Sequence, residues 1–444
     1  MNYSPPAVPT SSNKQRRFFT PRVAVAVIIA NMIGTGVFTS LGYQLDGITS
    51  GFALLMLWAL GGLTAFCGAL CYAELGARLP RSGGEYNFLS VAIHPSLGFV
   101  SGWISATIGF AAPTALVAIT FGRYLNLVVP QVPPTLSACV LIIALALLHA
   151  SSRERSGQTQ WIFTVLKVAM VVGGCLAALV FAPLETSTRF AVGTSEAAVL
   201  VSTPFAISLI YVSYAYSGWN AATYISGELE NPQKSLPRVL AIGTAVVTLI
   251  YVLVNYTFLS IAPQEVLVGR LEIVYVAAEY AFGSNVARIA SALLSLLLIS
   301  TASAMIMAAP RVLQMIGEDF KAFAPLSRSN DDGIPYVAIY VQALIALVLV
   351  VTATFESILV FSGFTLAVNT FVTVVSLFVL RITQADEPRP FSAWGYPVTP
   401  LTFLALTGWT ICHIALNRPR EALWGAVLIA FGFVVYALVP KQRT

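Results

Sequence analysis

Two short stretches carry the residue types that could bind a small zwitterion without a charged side chain. One is Ile33-Gly34-Thr35-Gly36-Val37-Phe38, in the middle of an apolar run. The other is Tyr214-Ala215-Tyr216-Ser217-Gly218-Trp219-Asn220. Two glycines one residue apart weaken a helix by about 1 kcal/mol each relative to alanine. A helix that unwinds there leaves unmade N–H groups at the start of the half-helix that follows, where the dipole also favours an anion. The carbonyls ending the preceding half-helix suit a cation or an ammonium. Two such breaks facing each other could therefore hold an α-amino acid. Its carboxylate would lie on the amides of Gly34, Thr35 and Gly36. Its ammonium would lie on carbonyls near Ile33 and along Tyr214, Ala215, Tyr216 and Ser217, with its side chain toward Tyr214, Trp219 and Asn220. The competing reading is that the glycines serve only close helix packing. Two breaks at matched positions count against it.

A third candidate is a lysine. Within WIFTVLKVAMVV, Lys167 stands about eight residues, or roughly 12 Å, inside an apolar run. A charged side chain at such depth costs at least about 2.5 kcal/mol, so a function is the default reading. It is either a proton carrier or a permanent ammonium in the place of a coupling cation. The competing reading is a side chain that snorkels to the headgroups. Ser300, Thr301 and Ser303 in ISTASAMIMAAPR offer hydroxyls on another run, although most such hydroxyls bond back to their own helix. Glu74 and Arg78, four apart, read as a local ion pair. His94, His149 and His413 read as interfacial.

The elements that must position these residues are membrane helices. Of 444 residues, 57% are hydrophobic and only 10% charged, and the mean hydropathy is +0.81. A soluble domain carries about a quarter charged residues. The apolar runs are long rather than alternating, which predicts an all-α integral membrane protein. The five cysteines fall in or beside apolar runs, so no disulfide framework and no metal site is expected. The net charge of +5 is spread over short loops and implies no nucleic-acid partner. No nucleophile–base set or phosphate loop is visible, so no enzyme activity and no cofactor is expected.

Twelve transmembrane spans are expected between residues 20 and 440. Alternate loops and tails hold 16 Lys and Arg on one side against 6 on the other, which predicts cytoplasmic termini. The polar start, residues 1–19, reads as a short tail. Spans one and six start about 179 residues apart, and their breaks, at Thr35 and Gly218, are 183 apart. Corresponding breaks in two halves of a membrane protein point to a transporter site between inverted repeats. The expected organisation is a first repeat over 20–182, a second over 199–381, and two further helices over 397–440. The lean tails suggest a bacterial inner-membrane protein.

Several motifs are also familiar. MIGTGVF, YAELGARLPRSGGEYNFL (72–89), YAYSGWNAATYISGELENPQKSLPR (214–238), AAPRVLQMIGED (308–319) and RPFSAWGYPVTP (389–400) together resemble the amino acid–polyamine–organocation transporters. The resemblance covers almost the whole chain. It implies a LeuT-type fold with broken first and sixth helices, five helices plus five, and two C-terminal ones. QWIFTVLKVAMVV resembles the fifth helix of the L-type amino acid transporters and of bacterial relatives. In those relatives the lysine replaces a sodium ion and touches both the first break and a hydroxyl on the eighth helix. Here Ser303 is the expected hydroxyl, with Ser300 beside it. The resemblance implies sodium-independent amino acid transport by alternating access, by exchange or proton symport. Where relatives often have Phe to gate the site, this chain has Tyr214. The loop after span three, residues 126–134, lacks the cysteine by which animal L-type relatives join a heavy chain, so no disulfide-linked partner is expected. Two other readings stand beside transport of amino acids. A polyamine or organic-amine antiporter would want an acidic residue in the pocket, and the two breaks show none. An amino-acid sensor without sustained transport would want a soluble domain.

Overall fold

In the computed structural model, the described residues are 20–439 except 82, 152–155, 185–187, 189, 192–197, 225, 227–228 and 332, with the backbone alone for 156–160, 163 and 308. The expected N-terminal tail and several of the basic loop residues, among them Arg153, Arg155 and Arg189, lie outside them.

The described residues fold as helices joined by short turns. In chain order these are α1 (Pro21–Met32), α2 (Thr35–Gln44), α3 (Gly51–Arg78), α4 (Glu85–Ala92), α5 (Pro95–Ile104), α6 (Ala111–Val128), α7 (Pro134–Ser151) and α8 (Ser156–Phe181). Then come α9 (Thr203–Ala215), α10 (Ala221–Tyr224), α11 (Pro232–Ile261), α12 (Gln264–Leu267), α13 (Ile273–Phe282), α14 (Ser284–Ala308) and α15 (Pro310–Asp319). The last are α16 (Tyr336–Thr352), α17 (Phe355–Thr383), α18 (Val398–Asn417) and α19 (Pro419–Leu438). A π-helical turn, Ser105–Gly109, joins α5 to α6.

Local sequence sets many of the starts. Thr20, Ser50, Ser202 and Thr354 each accept a backbone N–H of the first turn, and proline follows the cap at Pro21 and Pro204. Such caps contribute about 1 kcal/mol each, and proline at the first turn loses no helical bond.

Among the described residues, ten helices or helix pairs are long and apolar enough to cross a membrane. The sequence predicts twelve spans, and the two that fall short do so for visible reasons. The sixth is interrupted between α9 and α10. The ninth, α16, has 17 residues, at the lower edge of the spanning range of about 17–25.

The first span is central and the last two are peripheral. Of the most apolar stretch of α1–α2, 89% is buried, against 28% in α18 and 22% in α19. Around α1–α2 pack α8, α9, α11 and α14. The half-helix before the first break, α1, packs on α10, and the half-helix after it, α2, packs on α9. The two broken helices therefore run antiparallel, break against break.

One expected pairing is corrected. Glu74 does not pair with Arg78. Its carboxylate takes a bidentate grip from Arg381 at the end of α17 (2.8 and 2.6 Å) and the amide of Ala393 (2.7 Å). Arg78 turns to the carbonyl of Gln384 at 2.8 Å. Arg381 meets both carboxylate oxygens at once, the two-point grip that makes such a pair strong.

Candidate substrate and cation site

The first break occupies Ile33 and Gly34. Ile33 closes α1 by donating to Ile29 O, and Gly34 N turns back to Met32 O at 2.7 Å. No side chain caps α2 at Gly34. The amides that open α2, Thr35 and Gly36 foremost, have no intrahelical acceptor and point from the positive end of the half-helix dipole. Gly36 has no room for a side chain: a Cβ there would stand 2.6 Å from Cα of Ala215. At this point the backbones of the two breaks touch.

Lys167 on α8 is 1% exposed and does not snorkel. Its ammonium donates to Thr301 Oγ1 at 2.6 Å, Ile33 O at 3.2 Å and Ala30 O at 3.4 Å. A cation thus sits at the carbonyl end of α1, where the helix dipole favours it. The hydroxyl is Thr301, not the expected Ser303. Thr301 in turn lies 3.2 Å from Ile33 O and 3.3 Å from Leu297 O. Ser303, two residues on, faces another way and meets His149 Nε2 at 2.8 Å. His149, in the last turn of α7, is half-buried there against α14. Ser300 Oγ meets no partner among the described residues and does not reach Lys167.

The second break is a tight turn. Ser217 N donates to Tyr214 O at 2.8 Å, Trp219 N to Tyr216 O at 3.4 Å, and Gly218 takes φ +101°. Tyr251, in the middle of α11, sets its hydroxyl between Met32 O of the first break and Ala215 O of the second, 2.8 Å from the latter. Nothing in the sequence singles out this residue, because one more aromatic in an apolar run has no contrast with its surroundings. Four of the carbonyls expected to hold an ammonium are thus already partnered: Ile33 by Lys167, Ala215 by Tyr251, Tyr214 and Tyr216 by turn amides. Ile33 O is met by Thr301 Oγ1 as well as by Lys167. Tyr216 is a wall as well as a lining residue, with its hydroxyl on Trp58 O at 3.0 Å and its ring against Trp58 and Tyr251.

Beside the second break lies a cavity of about 100 Å³. Asn31, Thr64, Phe110, Tyr214, Ser217, Trp219, Asn220 and Thr370 are among its lining, and no lining side chain is charged. Trp219 is held edge-on against Tyr72, with ring centres 4.6 Å apart.

Under this cavity stands a carboxylate that the sequence reading passed over. Glu85, the first residue of α4, is 1% exposed. It accepts from Asn220 Nδ2 at 2.6 Å, Tyr72 OH at 3.1 Å and the hydroxyl of Tyr224. Ser105, in the π-helical turn, reaches Tyr224 OH at 3.4 Å. The paired glycines before Glu85 make this approach feasible. Gly83 and Gly84 take φ +114° and +53°, and a Cβ on Gly84 would fall 2.9 Å from the Tyr224 ring. Burial pushes the Glu85 carboxyl up from the ordinary carboxylate range, opposed by the hydrogen bonds from Tyr224, Tyr72 and Asn220.

A family model described as amino acid permease matches residues 19–441. The chain belongs to the amino acid permease family. Its work is amino acid transport across a membrane, and it is a multi-pass membrane protein. The permease is 27% identical over 430 residues to the mouse b(0,+)-type amino acid transporter 1, an alignment that covers 93% of this chain and 86% of the mouse protein. It is likewise 27% identical over 445 residues to the mouse large neutral amino acids transporter small subunit 2, covering 94% of this chain and 79% of that protein. The human b(0,+)-type transporter is 26% identical over 434 residues, covering 94% and 87%.

Proposed function

We propose that the chain is a twelve-span, sodium-independent exchanger of small neutral amino acids with both termini cytoplasmic. The observation that carries this reading is the ammonium of Lys167, which takes the place beside Ile33 O and Thr301 Oγ1 where a coupling cation would stand. A fixed cation there satisfies the carbonyl end of α1 in every cycle, so no sodium ion is needed to do it. The two breaks hold the substrate zwitterion, carboxylate on the α2 amides. The antiparallel packing of the broken helices supports five helices plus five in inverted orientation, with α18 and α19 added at the edge. The uncharged lining and the volume of about 100 Å³ favour a substrate side chain that is neutral and small. Tyr214 and Trp219 close over it. The 16-to-6 distribution of Lys and Arg supports the orientation.

The test is uptake of a labelled amino-acid panel into sodium-free proteoliposomes, with and without internal amino acid, across a pH gradient. Uptake of small neutral amino acids only when amino acid is present inside is the expected result. Accumulation driven by the pH gradient alone would replace exchange by proton symport, with Lys167 as the carrier. Preference for amines lacking a carboxylate would overturn the role of the α2 amides.

A further inference from the structure

A second cavity, of about 620 Å³, lies among α2, α8, α11, α13 and α14. That volume falls within the range of about 300–1,000 Å³ usual for small-molecule sites. Its lining is almost wholly apolar. Thr257 brings a hydroxyl, but that proton is already given to Leu253 O at 2.8 Å. Nothing in the lining asks for a headgroup, an ion or water.

Gly173 and Gly174 mark one wall. Adjacent small residues in a membrane helix normally let a neighbour come close. Here a Cβ added at either would meet nothing within 4 Å. The pair faces open space, and it makes that space. The mouth is continuous with the surface that faces the bilayer. Leu293 and Val286 at the rim are each 41% exposed, and Phe181, which also lines the cavity, is 77% exposed. A cavity with dry apolar walls and a mouth in hydrocarbon is filled by hydrocarbon, because an empty one forfeits dispersion contacts along its whole lining.

The position of the cavity gives it a consequence. Its lining residue Leu297 supplies one of the carbonyls beside Thr301 Oγ1. Val254 is one turn from Tyr251, Phe38 two residues from Gly36, and Ala169 two from Lys167. The helices that meet at the Lys167 cluster therefore also wall the cavity. Whatever fills it braces α2 and α11 against α8 and α14.

We propose that this cavity is a binding site for one acyl chain of a bilayer phospholipid, and that its occupant sets the rate at which the broken helices move. Lipid tails are as apolar as leucine, so no hydrophobic gain selects the chain. Selection then rests on how a chain fills the cavity, and a methyl-branched chain, bulkier along its length than a linear one, is the contrast that tests it.

The experiment uses the full chain in vesicles of phosphatidylcholine with linear monounsaturated chains, against vesicles whose chains are methyl-branched. Amino acid uptake by the unaltered protein is expected to differ about fivefold between them, the lower end of an ordinary coupling. Gly174→Leu, which fills the cavity from its wall, is expected to keep uptake and lose that dependence. Native mass spectrometry, which needs no transport, is expected to find one phospholipid fewer on Gly174→Leu than on the unaltered protein. Leu293→Trp, which narrows the mouth from a lipid-facing position, serves if Gly174→Leu does not fold. Equal lipid retention by the variant and the unaltered protein would overturn the site, whatever the uptake. Uptake that answers to added sterol but not to acyl shape would overturn the acyl chain as occupant.

Discussion

The two helix breaks face each other, yet each is held by the opposite charge. At the first, the ammonium of Lys167 meets three neutral oxygens, two of them carbonyls near the end of α1. At the second, the carboxylate of Glu85 meets three neutral donors, Asn220 just before α10, Tyr224 at its end, and Tyr72 on α3. The ammonium of Lys167 suits the carbonyl end of α1 that it serves. The difference lies in what the charge grips. Lys167 holds two backbone carbonyls besides the Thr301 hydroxyl, and those carbonyls cannot turn away without unwinding α1 further. Glu85 holds side chains, which can turn away on a rotamer change. The first break is thus fastened to the scaffold helices α8 and α14, and the second rests on a releasable latch between α3, α4 and α10. On the proposed placement of the substrate between them, the latch is the contact that yields more readily.

The strongest way to break this comparison is to part the breaks themselves. Gly36→Leu drives a side chain into the backbone at Ala215. Uptake should be lost altogether, with membrane insertion intact by surface labelling or protease protection. Normal uptake would mean that the breaks need not touch. Next in size is Lys167→Met, which keeps the volume and removes the charge. A buried hydrogen bond to a charged group contributes about 1.5–3 kcal/mol, so uptake should fall about 10- to 100-fold. If sodium restores uptake to this variant, the cation-replacement reading is sharpened, and unchanged turnover would end it.

The latch should respond more gently, and to pH. Because burial raises the Glu85 carboxyl, the folded protein keeps that proton to higher pH than the unfolded chain does. Between the ordinary carboxylate value of about 4.3 and the raised one, the folded state binds more protons, so this group's contribution to stability falls as pH rises. Glu85→Gln should flatten that slope in melting curves of the detergent-solubilised protein and change uptake about 2- to 10-fold, less than Lys167→Met. A slope identical in the variant would show that Glu85 does not titrate in this range.

The same contrast explains what the sequence disclosed. Lys167 stood out because the run around it is apolar, and a charge there demands a reason. Glu85 did not, because it follows the polar turn at Arg81–Gly84, where one more acid is unremarkable. Its burial comes from α10 folding over it, a contact 135 residues distant from Asn220. The helices and both breaks were legible from composition and glycine placement. The count of spans was blurred at the sixth, where the break shortens each half, and at the ninth, which has only 17 residues. Tyr251 was hidden by its aromatic neighbours, and Arg381 by the nearer Arg78.

The choice between Thr301 and Ser303 is the finest case. Both hydroxyls lie on α14, and chain position alone favoured Ser303. Two residues along a helix amount to about 200° of rotation at 3.6 residues per turn, so the two point to nearly opposite faces. Thr301 therefore reaches Lys167, and Ser303 reaches His149. Thr301→Val keeps the shape and removes the one side-chain oxygen near the ammonium. It should lower uptake about 2- to 10-fold, less than Lys167→Met, because the carbonyls of Ile33 and Ala30 still hold the ammonium. Ser303→Ala should change uptake less than about twofold, since it only frees His149 from a neutral partner. The reverse order, with Ser303→Ala the more harmful, would place the functional hydroxyl on the α7 side of α14. Lys167 would then need to leave Thr301 during the cycle.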